Sequence, residues 1–312
     1  MNALSKAWRG AWVATPAALL LIAFGQVPPI PIISGSPPAT QPTPQEDFPQ
    51  PGAALFEDLG TDPDAAAVWG RVDCEQRRRH RLVTAGGDTA TRAAEAAGDN
   101  SSFRRLRLSD GDDVFGERCE LGLNDHRESP TGVYREGERV LTFMSLRLPP
   151  HFPLAERSWQ VVMQMKQSQP SDAGGGPPML AMHARAGRWR VVNNSATELA
   201  DGRSQIWSAP ARRGAWVRFA FEIVYSVDPE RGSVRIYADL DRDGDVSEPS
   251  ERSRSIAAQT LKRETVGSGA DGLYRGDSIP SHLRVGLYHD TAIGCRPGHC
   301  RIDVDNVGIY QP

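Results

Sequence analysis

Apolar side chains recur at every second position over long stretches of this chain, and that period constrains the fold more than any other feature. Successive side chains of a β-strand point to opposite faces, so such alternation predicts strands with one face in a core. The clearest stretches, separated by Gly, Pro, Ser and Asp turns, are residues 140–148, 159–166, 216–225, 234–238 and 282–288. Helical periodicity is convincing only in the short segment 90–98, and we find no repeat of fixed period. The sequence therefore predicts an all-β sandwich.

The N-terminal part differs in composition from the strand-rich part. Lys6 and Arg9 precede an apolar run at 11–24 that is too short for a comfortable membrane span and has the pattern of a secretory signal. We expect cleavage before Gln26, with an uncleaved anchor as the alternative. Residues 26–52 include nine prolines, a composition that predicts an unfolded tether. The predicted parts are a signal peptide at 1–25, a Pro-rich linker at 26–53 and one folded domain at 54–312 of a secreted protein.

Charge and cysteine content narrow the class of partner and the compartment. The chain has 36 Lys and Arg against 39 Asp and Glu, so no global positive field draws it to nucleic acid or to an anionic membrane once the signal is removed. Four cysteines in an exported chain suit two disulfides. Cys295 and Cys300 bracket a tight loop and are expected to pair, and Cys119 is expected to pair with Cys74. We expect a monomer.

The alternation also groups polar side chains on one face of the predicted sheet. The groups facing away from the core are Arg118 with Glu120, Gln164 with Lys166, and His282 with Arg284 and Tyr288. In the strand of Lys166, the side chains predicted to face the core are Trp159, Val161, Met163 and Met165. A solvated sheet face more often carries Thr, Ser or short charges, so these strands are candidates for a binding surface. His183, which shares a face with Arg185, is a further candidate.

These groups resemble the motifs of jelly-roll polysaccharide lyases, with the best match to the heparin lyase I-like group, which is similar in architecture to glucuronan and alginate lyases. Arg118-Cys-Glu120 resembles the Arg-x-Glu strand and Gln164-Met-Lys166 the Gln-x-His strand of that group. The run His282-Leu-Arg-Val-Gly-Leu-Tyr288 resembles its Tyr-x-Lys-x-Gly-x-Tyr strand. The resemblance covers residues 110–312 and implies a concanavalin-like β-jelly roll that binds an anionic polysaccharide or oligosaccharide.

The resemblance further implies cleavage of a uronate polysaccharide by β-elimination. In that reaction a base removes the proton α to the carboxylate, and an acid protonates the departing glycosidic oxygen. Arg118 and Gln164 would neutralise and hydrogen-bond the carboxylate, and Tyr288 would serve as general acid. The residues implied to bind substrate or to hold Arg118 are Glu120, His183, His282 and Arg284.

The chain departs from the family pattern at two positions, and the identity of the base stays open. Lys166 stands where the family has a histidine, and His282 stands where it has a tyrosine. Tyr288, Lys166 and His282 are therefore all candidates for the base, and Lys166 is alternatively a clamp for the substrate carboxylate. A glycan-binding relative without activity is the alternative function. A glycoside hydrolase is only the third choice. Hydrolysis would need two or three carboxylates alternating on one strand, and the only dense carboxylate cluster in the sequence is the acidic segment described next.

A dense acidic segment predicts a metal site. Oxygen-bearing side chains alternate around Gly244 as in an EF-hand-type calcium loop, and predicted strands rather than helices flank them. The predicted ligands are Asp239, Asp241, Asp243, Asp245, Ser247 and Glu248. The loop departs at the twelfth position, where Ser250 replaces the bidentate Glu. We expect a structural Ca²⁺ that closes a hairpin, with a solvated acidic turn as the alternative.

Overall fold

The computed structural model describes residues 46–76, 79–84, 102–123, 132–167, 176–194, 203–266, 273–295 and 300–312. The predicted signal peptide, most of the predicted linker and the predicted helix at 90–98 lie outside these ranges. Within these ranges, none of the helices combines the length and the hydrophobicity needed to cross a membrane.

Strands dominate the described residues, as the alternation predicts. The strands are β1 (Ala54–Asp58), β2 (Arg71–Cys74), β3 (His80–Thr84), β4 (Ser102–Arg107), β5 (Arg118–Gly122), β6 (Arg139–Arg147), β7 (Gln160–Gln167), β8 (Leu180–Arg185), β9 (Arg188–Asn194), β10 (Arg203–Pro210), β11 (Trp216–Val224), β12 (Ser233–Asp239), β13 (Ile256–Ala257), β14 (Lys262–Val266), β15 (Leu273–Ile279), β16 (Ser281–His289) and β17 (Arg301–Tyr310). A short helix, α1, spans Ala65–Trp69. The five stretches with the clearest alternation coincide with β6, β7, β11, β12 and β16 to within one residue at each end.

Two antiparallel sheets form a β-sandwich of the jelly-roll type. The eight-stranded sheet has the order β13-β12-β11-β6-β17-β4-β3, with β1 paired to β17. The seven-stranded sheet has the order β10-β9-β8-β7-β16-β5-β2, and β14 and β15 form a separate hairpin. Because β16 pairs with both β5 and β7, three strands that are far apart in sequence become neighbours. All three carry the polar groups singled out above.

The core lies between the inward faces of the two sheets. On β16, Leu283, Val285 and Leu287 are completely buried. Trp189 of the seven-stranded sheet packs edge-on against Phe219 of the eight-stranded sheet, with ring centroids 5.2 Å apart. Burial of each such large side chain contributes about 1.5–3 kcal/mol. Since Leu283, Val285 and Leu287 occupy the inward positions, the polar residues between them are held on the outer face of the sheet.

The alternation prediction is wrong at the start of β7. Val161 pairs with His183, but the next pair joins Met163 to Met182, so the register shifts between them. This bulge turns the consecutive residues Val162 and Met163 both into the core. Trp159 and Val161, predicted to face the core, therefore lie on the outer face and pack with Tyr288, Ala181 and Val192. The bulge adds an apolar floor to the polar face.

Residues 46–48 pack against the domain, although their composition resembles that of the linker. Phe48 is only 6% exposed and belongs to a small apolar cluster with Leu141, Ala220, Tyr237 and Val246. Its backbone N–H donates to Gly244 O over 2.9 Å, and the N–H of Val246 donates to Glu46 O over 2.9 Å. The packed chain therefore begins no later than Glu46, which is earlier than the predicted boundary at residue 54.

Both predicted disulfides are present. The bond between Cys74 and Cys119 joins β2 to β5, where the two residues are directly paired in register. The bond between Cys295 and Cys300 closes the local loop before β17. A cross-link that closes a loop of about 45 residues stabilises the fold by about 4 kcal/mol in the chain-entropy model. The first disulfide ties the edge strand β2 to the strand that carries Arg118.

Candidate active site

A cleft of about 460 Å³ lies on the outer face of the seven-stranded sheet. Its lining draws on five strands, on the residue before β7 and on the loop before β8, and consists of Arg118, Trp159, Val161, Gln164, Lys166, Gly176, Pro177, Pro178, Ala181, His183, Asn194 and Tyr288. Five of the predicted site residues are in this lining: Arg118, Gln164, Lys166, His183 and Tyr288. The strands bring them together because their register aligns the polar positions.

That register pairs the candidate residues across three strands. Tyr288 of β16 is opposite Arg118 of β5, and Arg284 and His282 are opposite Gln164 and Lys166 of β7. Gly286 stands opposite Glu120 with φ +153°, and a Cβ there would lie 2.3 Å from the carbonyl oxygen of Cys119. The glycine is required by this close approach of β5 to β16.

Tyr288 is held on three sides. The guanidinium of Arg118 lies over its ring, 4.0 Å from the centroid, and Trp159 packs edge-on at 4.7 Å. On the third side is Gly116, where φ is +96° and a Cβ would lie 3.1 Å from the Tyr288 ring. The Arg118 Nη2 donates to the carbonyl oxygen of Phe115 over 2.6 Å, which fixes the guanidinium above the ring. The hydroxyl therefore has one well-defined position in the cleft.

Glu120 is a buried acceptor shared by the groups that would bind a carboxylate. It is 1% exposed and accepts a hydrogen bond from Gln164 Nε2 at 2.6 Å. Its other oxygen lies 3.4 Å from Arg118 Nη1 and 3.6 Å from Arg284 Nη1. The Arg118 Nε is buried and, in the described part of the chain, has no hydrogen-bond partner. Glu120 thus orients Arg118 and Gln164 while leaving them donors for a ligand.

Arg284 and His282, predicted to contact substrate, lie behind the residues that line the cleft. They are 7% and 2% exposed. Arg284 Nε donates to His282 Nε2 over 3.0 Å, and Arg284 Nη1 donates to Asp73 Oδ2 over 2.6 Å. Asp73 also accepts from Arg71 Nε over 2.8 Å. The pair therefore forms a second layer that supports Glu120 and Lys166.

The ring nitrogen of His282 that faces Arg284 is already engaged and cannot accept a proton from a substrate. A guanidinium only donates, so His282 Nε2 must be the unprotonated acceptor of the bond from Arg284. Burial lowers the pKa of His282 well below its ordinary value, and the charges of Arg284 and Lys166 add to this effect. The imidazole is therefore neutral, and its lone pair is already used.

Lys166 lines the cleft and has a perturbed pKa. Burial, together with the positive charges of Arg284, Lys262 and Arg118, lowers the pKa of Lys166 from its ordinary value to about 8. Its Nζ donates to the carbonyl oxygen of Gly176 over 2.5 Å. A substantial fraction of this amine is neutral at mildly alkaline pH, which is the state a base requires.

The alternation did not point to Asp73, Arg71 or Asn194. Asn194 is 6% exposed, lines the cleft and donates to Pro178 O over 2.6 Å. A signal for Asp73 exists in the sequence, because it directly precedes Cys74. Once Cys74 is paired with Cys119, the antiparallel register puts residue 73 opposite Glu120, as the structure shows.

The outer face of this sheet is strongly cationic. On β2, β5, β16, β7, β8 and β9, the outward positions carry seven cations and the two carboxylates of Asp73 and Glu120. The cations are Arg71, Arg118, Lys166, Arg185, Arg188, Arg190 and Arg284. A face with this excess of positive charge concentrates anionic ligands.

The acidic segment forms the connection between β12 and β13, which are paired strands of the other sheet. Ligand oxygens of Asp239, Asp241 and Asp243 lie within 4.8 Å of one another. Asp239 is fully buried: one oxygen accepts from Arg218, whereas Oδ1 has no hydrogen-bond partner within the described ranges. That buried carboxylate oxygen fits a cation as its missing partner.

Other members of the predicted ligand set are arranged differently. Both oxygens of Asp245 accept hydrogen bonds from Ser247, at 2.8 Å each, so these two residues form a local turn. Glu248 is exposed, whereas Glu251 is 4% exposed and accepts from Leu240 N over 2.9 Å. Burial raises the pKa of Glu251 to about 7, with repulsion from Asp241 as a further cause. Glu251 is therefore close enough to Asp239 and Asp241 for their charges to act on it.

Two antiparallel sheets in this order, with a cationic cleft across one outer face, define a β-sandwich protein of the jelly-roll class with a site suited to anionic ligands. The sequence profile of the family described as "Polysaccharide lyase" matches residues 66–302, which is most of the chain. The chain belongs to this family, and the protein is a polysaccharide lyase.

Solved structures agree with this fold. An endo-β-1,4-glucuronan lyase from the fungus Trichoderma reesei is 17% identical, with a TM-score of 0.54 over 83% of this chain and 96% of that one. An alginate lyase from Aplysia kurodai is 8% identical, with a TM-score of 0.53 over 84% of this chain and 100% of that one. No curated protein sequence gives a significant match. At such identities the likeness concerns the fold alone.

Proposed function

We propose that the protein is a secreted lyase that cleaves a uronate-containing, anionic polysaccharide by β-elimination. The observation that carries this proposal is the grouping of Arg118, Gln164, Lys166 and Tyr288 in one cleft on a cationic face. The motif resemblance to the heparin lyase I-like group supports the same substrate class. So do the glucuronan and alginate lyases among the similar structures.

In the proposed reaction, Arg118 and Gln164 bind the uronate carboxylate. The proton α to that carboxylate is only weakly acidic while the carboxylate is charged, so donors that neutralise it stabilise the enolate-like transition state. Such preorganised donors are commonly worth several kcal/mol. Glu120 holds both donors in place through its hydrogen bond to Gln164 and its ion pair with Arg118.

We assign the proton transfers to Lys166 and Tyr288. Lys166 takes the α proton, because its lowered pKa makes the neutral amine accessible and His282 is already engaged. Tyr288 protonates the departing glycosidic oxygen, since its hydroxyl is directed into the cleft by Arg118, Trp159 and Gly116. The elimination leaves a carbon–carbon double bond conjugated with the carboxylate.

The experiment that tests this function measures that double bond. The purified protein is incubated with glucuronan, alginate and heparin, and ultraviolet absorbance of the unsaturated product is followed. Absorbance that rises with one of these polymers, together with falling polymer length, is the expected result. New reducing ends without absorbance would show hydrolysis instead, and no cleavage of any uronate polymer would overturn the assigned substrate class.

Secretion is supported by the two disulfides, which persist in oxidising compartments. It is also supported by the signal-like pattern at the N-terminus. N-terminal sequencing of the protein recovered from the culture medium of an expressing bacterium tests it, with Gln26 as the expected first residue.

We also propose that the acidic segment at the end of β12 binds one structural Ca²⁺ through Asp239, Asp241 and Asp243 of the predicted ligand set. The support is the cluster of three carboxylates and the buried, unpartnered Oδ1 of Asp239. Calcium binds through oxygen ligands and would screen the repulsion among these carboxylates. Because the segment belongs to the sheet opposite the cleft, the ion would stabilise the fold rather than take part in the reaction.

Calcium at about a hundred times its Kd is therefore expected to raise the melting temperature by roughly 5–10 °C over the EDTA-treated protein. The Asp241→Asn protein should lose most of this shift, because a charged ligand is removed. As a matched control, Glu230→Gln removes an exposed carboxylate from the β11–β12 turn and should keep the full shift. Equal melting temperatures in calcium and EDTA, with no heat of binding in calorimetry, would support the solvated-turn alternative.

A further inference from the structure

Arg190 lies on the same row of the sheet as Tyr288, beyond the end of the cleft. Tyr288 is opposite Val161, Val161 is opposite His183, and His183 is opposite Arg190. Neighbouring strands are 4.7–4.9 Å apart, so Arg190 is three strands, or about 14 Å, from Tyr288. The cleft lining crosses the strands in the same direction, and along this row it runs from Arg118 on β5 to His183 on β8. A polysaccharide that followed this row past His183 would therefore reach Arg190.

The guanidinium of Arg190 is oriented but lacks an acidic partner. Its Nη1 donates to Gln205 Oε1 over 3.0 Å, and its Nε is buried without a hydrogen-bond partner in the described residues. No carboxylate of the described residues lies within 4.0 Å of it, whereas Arg118 and Arg284 both have Glu120 nearby. A planar guanidinium with unused donors is suited to bind a carboxylate through two hydrogen bonds.

The neighbouring Arg188 differs from Arg190 because more of its guanidinium donors bond within the fold. It faces the same side of β9, but its Nε and Nη2 both donate to Ser208, over 2.7 and 3.2 Å. Those bonds tie Arg188 to the edge strand β10. Arg190 makes one side-chain bond to Gln205 on β10, so more of its guanidinium donors remain for a ligand than in Arg188.

We propose that Arg190, oriented by Gln205 and adjacent to His183, binds the carboxylate of a second uronate unit on the same polysaccharide chain. This inference rests on the proposed function and extends it, because Arg190 binds a carboxylate that is remote from the bond that is cleaved. Substrates long enough to reach Arg190 bind more tightly than those that fill only the cleft. Arg190 favours substrates by their length and charge and takes no part in proton transfer.

Steady-state kinetics of the full chain test the proposal, with glucuronan, alginate or heparin, whichever the unaltered protein cleaves. Arg190→Gln is expected to raise KM for the polymer about tenfold, the worth of one charged hydrogen-bonding contact, and to change kcat by less than about twofold. KM for the shortest oligosaccharide that is cleaved should not change. Arg190→Lys keeps the charge but not the planar guanidinium, and its KM for the polymer should lie between those of the unaltered protein and of Arg190→Gln. The matched control Arg231→Gln, on an exposed turn, should leave both KM values unchanged.

The rise of KM for the polymer in Arg190→Gln should become smaller as salt is added, because salt screens an exposed contact between charges. An unchanged KM for polymer in Arg190→Gln would overturn the second uronate site. An equal rise of KM for polymer and short oligosaccharide, or a lower melting temperature, would show that Arg190 only joins β9 to β10. If the unaltered protein cleaves none of the three polymers and binds none of them in calorimetry, the proposed function fails first and this inference with it.

Discussion

Tyr288→Phe is expected to lower kcat about a thousandfold, because general acid catalysis of this kind contributes between about 10² and 10⁴. The substitution removes only the hydroxyl. The ring keeps its contact with the Arg118 guanidinium at 4.0 Å and with Trp159 at 4.7 Å, so KM and the melting temperature should hardly change. The measurement is the rate of formation of unsaturated product, with the melting temperature recorded for the same preparation.

Tyr310→Phe is the matched control for this substitution. It removes a tyrosine hydroxyl that donates to Glu57 Oε1 over 2.8 Å at the C-terminal end of β17, in the other sheet. Its kcat should equal that of the unaltered protein. Full activity in Tyr288→Phe would remove the tyrosine from the reaction. A loss of activity accompanied by a large fall in melting temperature would assign it to packing instead.

The fold was predictable from the sequence because period-2 alternation directly encodes which strand face is buried. β6, β11 and β16 each have an apolar set on alternate positions, and each lies where the pattern predicts. The pattern fails at β7, since a bulge inserts one residue without leaving a clear mark in the sequence. The error is confined to the start of β7, yet the bulge places Trp159 and Val161 in the cleft instead of the core.

The site was predictable only as a set of side chains on one face. Alternation places Arg118, Gln164, Lys166 and Tyr288 outward, but it does not say how deep each lies below the surface. That depth depends on neighbours from other strands, such as Asp73, which draws Arg284 away from the cleft. Alternation is likewise silent about Arg190, because a second binding site needs the strand order, not the strand itself.

The buried acids of the site have two opposing effects. Glu120 holds Arg118 and Gln164 in the geometry that binds a carboxylate, but its negative charge also raises the pKa of Lys166. Asp73 reduces the net charge that Arg284 presents to Lys166. Burial and the surrounding cations outweigh both acids, so the pKa of Lys166 still falls to about 8. The second layer thus sets the pH at which the proposed base becomes available.

For this reason kcat/KM of the unaltered protein is expected to rise with pH. It should reach half its maximum near pH 8, where Lys166 loses its proton in the enzyme without bound substrate. The direction follows from the role: a base must be neutral, so activity is lost as pH falls below the pKa. A bound uronate carboxylate favours the charged amine, and the rise in kcat alone should therefore lie at higher pH than the rise in kcat/KM. Initial rates across the pH range at low and saturating polymer measure the two separately.

Two substitutions at Lys166 distinguish a base from a fixed positive charge. Lys166→Arg keeps the charge but cannot lose a proton in this range, so a base predicts a loss of roughly 10²–10⁴ in kcat, whereas a carboxylate clamp predicts near-normal activity. Lys166→His should retain measurable activity, with the rise in kcat/KM moved towards the ordinary imidazole pKa of about 6.5. An active Lys166→Arg protein with an unchanged pH profile would transfer the proton abstraction to Tyr288. In that case the cations around Tyr288, Arg118 above all, become the groups that make the base.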